Sequence, residues 1–263
     1  MSVEDVQAYV EHHQICDVVQ DAINAAVQAQ SPDPQLFMSQ WLAKDLKNGN
    51  ALQRNPEPFK LERYFGVHEF TAKVLLSSSD VESLSMKELL QIAADAKDEA
   101  SIALWDNLSL GYTESQGHPD FLAAIAANYS DAVQPANLLE VAPEEGIFLA
   151  VSALISPGDK VIVSWPCYQS LHEVARARGA EVRKWPYTCD EAGDEPHFEV
   201  EELEAQVAHA GGSVKLIVIN FPHNPTGCWL SAQELRRVVD VARKAGAYLF
   251  SDEMHGGGHF GAP

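Results

Sequence analysis

Positive charge is scarce in this 263-residue chain: 18 lysines and arginines stand against 38 aspartates and glutamates, a formal charge of −20. A phosphate-bearing partner needs a net basic face, so the deficit argues against nucleic acid and against an anionic membrane. Cysteine is scarce too. Cys16, Cys167, Cys189 and Cys228 show no C-x-x-C spacing, which argues against a disulfide framework and a zinc knuckle. No apolar run approaches the roughly 18 residues that span a bilayer. The opening MSVEDVQAYV lacks the apolar core of a signal peptide and the arginine bias of a transit peptide. Gly and Pro are too sparse for a fibrous chain, and a 46% hydrophobic content is too high for a disordered one. The expectation is a soluble protein of a reducing compartment, cytoplasmic by default, built as one large domain or a medium one with a small module.

What is present falls into three stretches. Residues 1–46 read as helical: Val6, Tyr9, Val10 and His13 form one stripe, and Ile15, Val18, Val19, Ala22, Ile23, Ala26 and Val27 a second. Ser31-Pro32-Asp33-Pro34 breaks the pattern, because proline fixes φ and removes a donor, and Leu36, Phe37, Met38, Trp41 and Leu42 follow. Residues 47–58 (KNGNALQRNPEP) have the composition of a linker. Residues 59–263 form the third stretch. Ser85-x-x-Glu88 is a capping box there. From Val141 helices alternate with short apolar strands: helix from Gly146 to Leu154, strand KVIVS, helix Gln169 to Arg178, strand Glu181–Trp185, helix Val200 to Ala208, strand KLIVIN. A helix from the capping box Ser231-x-x-Glu234 to about Lys244, a Gly246 stop and strand AYLFS complete the series. This alternation predicts an α/β fold with a mostly parallel sheet in three α/β/α layers, whose ligand lies beyond the carboxyl ends of the strands.

Those ends carry Trp165-Pro166-Cys167-Tyr168, Phe221-Pro222-His223-Asn224-Pro225-Thr226-Gly227 and Ser251-Asp252-Glu253-Met254. An aromatic ring, an amide and a carboxylate are what a planar, protonated heterocycle wants: a ring to stack on, a donor to a ring oxygen and an anion beside its N–H. Asn224-Pro225-Thr226-Gly227 after an apolar strand, with Asp252 28 residues on, resembles the fold-type-I pyridoxal-phosphate enzymes of the class I/II aminotransferase family. The resemblance runs from about residue 58 to 260, through Gly111-Tyr112…Gly117, Glu144-Glu145-Gly146, the Pro157-Gly158-Asp159 turn and Pro166-x-Tyr168.

It implies pyridoxal 5′-phosphate as cofactor, with Asp252 at the pyridinium nitrogen, Asn224 at the phenolic oxygen and Tyr168 stacked on the ring. It implies the backbone amides of Glu144, Glu145 and Gly146 at the phosphate, and Tyr112 reaching the phosphate of a neighbouring subunit in a homodimer. His255 stands where the family has a tyrosine and can still donate to the phenolic oxygen. Glutamates at 144 and 145 replace the family's small hydroxyl residues, so their side chains must turn away. His255-Gly256-Gly257-Gly258 imitates an esterase oxyanion loop, but no G-x-S-x-G is present. His255 and His259 lack a helix to hold a metal spacing, so no metal is expected.

The family's Schiff-base lysine lies downstream of the aspartate, whereas the last lysine here is Lys244. The implied function is therefore transamination between amino and keto acids, with this stretch of chain incomplete before the lysine and expected to be inactive alone. A lyase or cyclising synthase on the same scaffold is one alternative. A non-catalytic protein is another, because the run from Tyr9 to Leu46 resembles the dimerisation-and-docking helices of kinase regulatory subunits, which dimerise and bind a partner helix.

Overall fold

The structure, a computed structural model, describes residues 15–30, 32–45, 55–189, 195–210 and 214–256. They divide into two compact units, residues 1–57 with 147–263, and residues 58–146. The stripe from Val6 to His13, most of the linker, and Gly257 to His259 lie outside the described residues.

In the first unit, α1 (Ile15–Gln28) packs on α2 (Pro34–Asp45). The chain breaks between them as the prolines require. Gln30 takes a positive φ of 45°, and Asp33 Oδ1 accepts the Leu36 N–H at 3.0 Å, so α2 opens on Pro34 without needing its missing donor. Ala26 is buried, while Val19, Ile23 and Val27 are exposed.

The rest of this unit is a four-stranded sheet, β1 (Lys160–Trp165), β2 (Glu181–Pro186), β3 (Val214–Asn220) and β4 (Tyr248–Asp252), in the order β2-β1-β3-β4 with every pairing parallel. Alternation along the strands feeds two cores. Val161, Val163, Leu216 and Val218 join Ile147, Val151, Leu171 and Ala175 on one face. Ile162, Ile217 and Ile219 join Trp185, Leu203, Val238 and Val241 on the other. Helices α7 (Pro143–Leu154) and α8 (Gln169–Ala177) thus cover one face, and α9 (Val200–Ala208) and α10 (Ala232–Ala245) the other. The predicted three-layer α/β architecture is the observed one.

Local signals act where they were read. Ser231 and Glu234 form a reciprocal capping box, and Gly246 ends α10 at φ 66°, a conformation glycine adopts without a Cβ penalty. At the β2 edge, Gln206 Nε2 donates to the Lys184 carbonyl at 2.9 Å. Among the described residues β4 pairs only with β3. The Glu173 carboxylate is buried; it accepts from Arg176 Nε at 2.8 Å and from the Glu57 N–H, while Arg176 also donates to the Asn55 carbonyl. A buried charge so satisfied holds the Asn55–Glu57 segment against α8.

The second unit holds α3 (Lys60–His68), α4 (Met86–Asp95), α5 (Glu99–Asp106), α6 (Pro119–Ala126) and the first turn of α7. Ser85 and Glu88 form the expected capping box at α4. Leu122 is buried, whereas Phe70, Leu76 and Leu110 are exposed. Gly117 has φ 127°, and a Cβ there would stand 2.7 Å from Glu140 Cβ, so any other residue would be strained and force a neighbour to shift.

Candidate active site

The chain leaves β1 toward one edge of the sheet, to β2, and leaves β3 toward the other, to β4. The crossovers diverge between β1 and β3, which opens a crevice beyond their carboxyl ends. Tyr168 follows β1, Asn224 follows β3, and Asp252 and His255 end and follow β4. The sheet therefore brings these four candidates to one end of one unit.

Two polar residues are buried at the strand ends, Ser164 on β1 and Asn220 on β3. The Asn220 N–H donates to Ser164 Oγ at 3.2 Å, its Oδ1 accepts the Asn224 N–H at 3.0 Å, and its Nδ2 donates to the Asp252 carbonyl at 3.1 Å. Asn220 and Asp252 are also register partners across β3 and β4, and the Phe221 N–H adds a bond to the same carbonyl at 3.2 Å.

His223 ties the β3 loop to the β1 exit. Its Nε2 lies 2.6 Å from the Pro166 carbonyl, which can only accept, so Nε2 carries the proton. Nδ1 is then bare and accepts the Thr226 hydroxyl at 2.7 Å. Burial pushes this imidazole below its ordinary pKa, with the Pro166 bond opposing, and the neutral tautomer fits both partners. The His223 N–H donates to the Cys228 carbonyl at 2.8 Å and closes the loop. The peptide bonds preceding Pro166, Pro222 and Pro225 are cis.

Each candidate has a distinct setting. Tyr168 is half-buried at the N-terminus of α8 and packs, with Cys167 and Trp165, on the core beneath that helix. Asp252 is half-buried and its Oδ1 accepts the Met254 N–H at 3.0 Å, which leaves Oδ2 for another donor. Asn224 is half-buried, and among the described residues its carboxamide makes no hydrogen bond although its backbone N–H does. His255 is half-buried in the turn after β4. Burial pushes the Cys167 thiol up to about 12, the Asp252 carboxylate adds to the rise and the Lys184 ammonium opposes it. The β1 exit and the β4 end are thus within electrostatic reach of one another.

Glu144, Glu145, Gly146 and Tyr112 belong to the other unit. Glu144 and Glu145 are exposed in the first turn of α7. The Gly146 N–H donates to the Ala142 carbonyl at 2.9 Å, so that amide is engaged inside the helix rather than offered to an anion. Tyr112 is fully exposed. A groove of about 790 Å³ beside β2, lined by Trp165, His172, Glu173, Arg176 and Lys184 among others, contains none of the eight candidates.

Ser164 and Asn220 escape the sequence reading, although each is a polar residue closing an apolar run, KVIVS and KLIVIN. That position is itself the signal, since a buried polar group must be hydrogen-bonded.

Comparison with known proteins adds to this geometry. The family described as aminotransferase class I and II matches residues 71–263. Capreomycidine synthase of Streptomyces vinaceus is 31% identical over 202 residues, covering 74% of this chain and 49% of that protein. Kynurenine–oxoglutarate transaminase 3 of Mus musculus is 29% identical over 182 residues, covering 60% and 37%. A PLP-dependent aminotransferase from Streptococcus suis 89-1591 superposes with a TM-score of 0.65 at 28% identity, over 76% of this chain and 52% of that one. The chain spans about half the length, or less, of the proteins it matches.

Proposed function

The chain belongs to the class I and II aminotransferase family, and from that membership we propose that it forms the pyridoxal 5′-phosphate-binding part of an enzyme that moves an amino group between an amino acid and a keto acid. The observation that carries this reading is Asn224: its backbone is fixed by Asn220, yet its half-buried carboxamide has no protein partner among the described residues. A half-buried amide whose backbone is fixed and whose side chain has no protein partner is free to take a ligand.

When bound, the cofactor supplies a protonated ring that accepts electrons from the substrate carbon. This chain's residues do the rest. Asp252 Oδ2 holds the proton on the ring nitrogen, because an adjacent anion favours the charged form. Asn224 donates to the ring's phenolic oxygen, with His255 as a second donor. Tyr168 orients the ring by stacking. The first turn of α7, at Glu144 and Glu145, offers a helix N-terminus to the phosphate, with Gly146 shaping the turn rather than donating. Tyr112, being exposed, is available to the phosphate site of a second copy in a homodimer. The N-terminal helices, with Val19, Ile23 and Val27 exposed, are assigned to dimerisation or to docking a partner helix.

The similarity to capreomycidine synthase favours a second reading, a cyclising or eliminating enzyme using the same cofactor residues. Pyridoxamine 5′-phosphate tests the shared part, because it carries ring and phosphate but no aldehyde. The full chain is expected to bind it saturably by calorimetry, and Asp252→Ala to weaken binding at least about tenfold. Equal affinity for both proteins would refute the assignment.

A further inference from the structure

We infer that Asn220 is a positioning residue whose carboxamide sets the spacing between Asn224 and Asp252, the two residues assigned to the phenolic oxygen and the ring nitrogen of the cofactor. The inference rests on the cofactor reading above and goes beyond it, because Asn220 itself touches no part of the ring in that reading.

The geometry is specific to a carboxamide. Asn220 is 1% exposed at the last position of β3, so both ends of its side chain must find partners inside the protein. One end accepts and the other donates. Oδ1 takes the Asn224 N–H at 3.0 Å, four residues ahead in the loop, and Nδ2 gives to the Asp252 carbonyl at 3.1 Å on the neighbouring strand. The Asn220 N–H reaches Ser164 Oγ at 3.2 Å on β1, so one residue joins all three strand ends of the crevice. Both tethered groups are main-chain atoms of the residues assigned to the ring. Their side chains stay available to a ligand while their backbones are held. Leucine matches the volume and makes neither bond. Ionised aspartate keeps the acceptor for Asn224 and loses the donor, setting an oxygen against the Asp252 carbonyl, so the variant is read across about pH 6 to 9 and its loss should grow as the carboxyl ionises.

The substitutions separate the two arms. Amide hydrogen exchange on the full chain reads the loop arm without any cofactor: the Asn224 amide is expected to be protected in the parent and in Asn220→Asp, and to exchange at least about tenfold faster in Asn220→Ala. Val218 and Ile219 amides in the same strand should keep their protection, which separates a local release from general loosening. Titration with pyridoxamine 5′-phosphate reads the strand arm. Affinity is expected to fall about tenfold in Asn220→Asp, and the absorbance of the bound probe to shift toward the unprotonated ring as Asp252 is displaced. If Asn220→Ala does not fold, Asn220→Asp still decides, since it retains one arm. An Asn224 amide that exchanges at the same rate in Asn220→Ala, or an affinity and spectrum unchanged in both variants, overturns the inference. A parent chain that shows the exchange pattern but never binds the probe overturns the cofactor reading, and the role assigned to Asn220 with it.

Discussion

Cys167 offers the sharpest check on how the strand ends meet. Only the thiolate attacks an alkylating reagent, and below the pKa its population falls tenfold per unit. Burial, aided by the Asp252 carboxylate, carries this thiol from 9.0 up to about 12. Three units leave about a thousandth of the thiolate that an ordinary cysteine carries at pH 8. Iodoacetamide labelling followed peptide by peptide by mass spectrometry should therefore modify Cys167 on the order of a thousandfold more slowly in the native chain than in the urea-unfolded chain. Two variants test the cause. Asp252→Asn removes a neighbouring negative charge and should speed Cys167 labelling, whereas Lys184→Met removes the opposing positive charge and should slow it. Native and unfolded Cys167 rates within about tenfold of each other, with the circular dichroism of the native sample intact, would refute the reasoning, because the thiol could not then be held out of water at the β1 exit.

Further outcomes follow from other sites. Gly117→Ala forces a side chain into φ 127° and against Glu140, and should cost roughly 2–4 kcal/mol in a urea melt; a loss under about 0.5 kcal/mol would disprove the close approach. His223 and His172 are both held below the ordinary imidazole value of 6.5, chiefly by burial. The unfolded chain takes up their protons near that pH while the folded chain does not, so stability is full above about 6.5 and falls as pH drops below it. The slope cannot exceed about 1.4 kcal/mol per pH unit for each imidazole, and His223→Gln should flatten it in denaturant melts between pH 7.5 and 5.5.

Features written in a few adjacent residues are legible in the sequence. The capping boxes at Ser85 and Ser231 and the Gly246 stop need only their neighbours, and the strand apolar runs need only their own composition. Helices α5 and α6 are not, because EASIALWD has no one-sided stripe and α6 is capped by His118, an uncommon cap residue. The role expected of Gly146 shifts for a related reason. The helix begins at Pro143, which puts Gly146 far enough along that its N–H finds the Ala142 carbonyl. Tyr168, Asn224 and Asp252 could be named as strand-end residues from their spacing alone. The ties of Asn220 and His223 could not, since their partners are set by which strands pair, and Ser164 and Pro166 stand 56 and 57 residues away.

The two borders of the sheet are defended unequally. At β2 a glutamine covers one carbonyl, and Arg183 and Lys184 put charge along the rim. At β4 the described residues leave a bare row of amides and carbonyls beside Tyr248, the kind of surface that templates further strands.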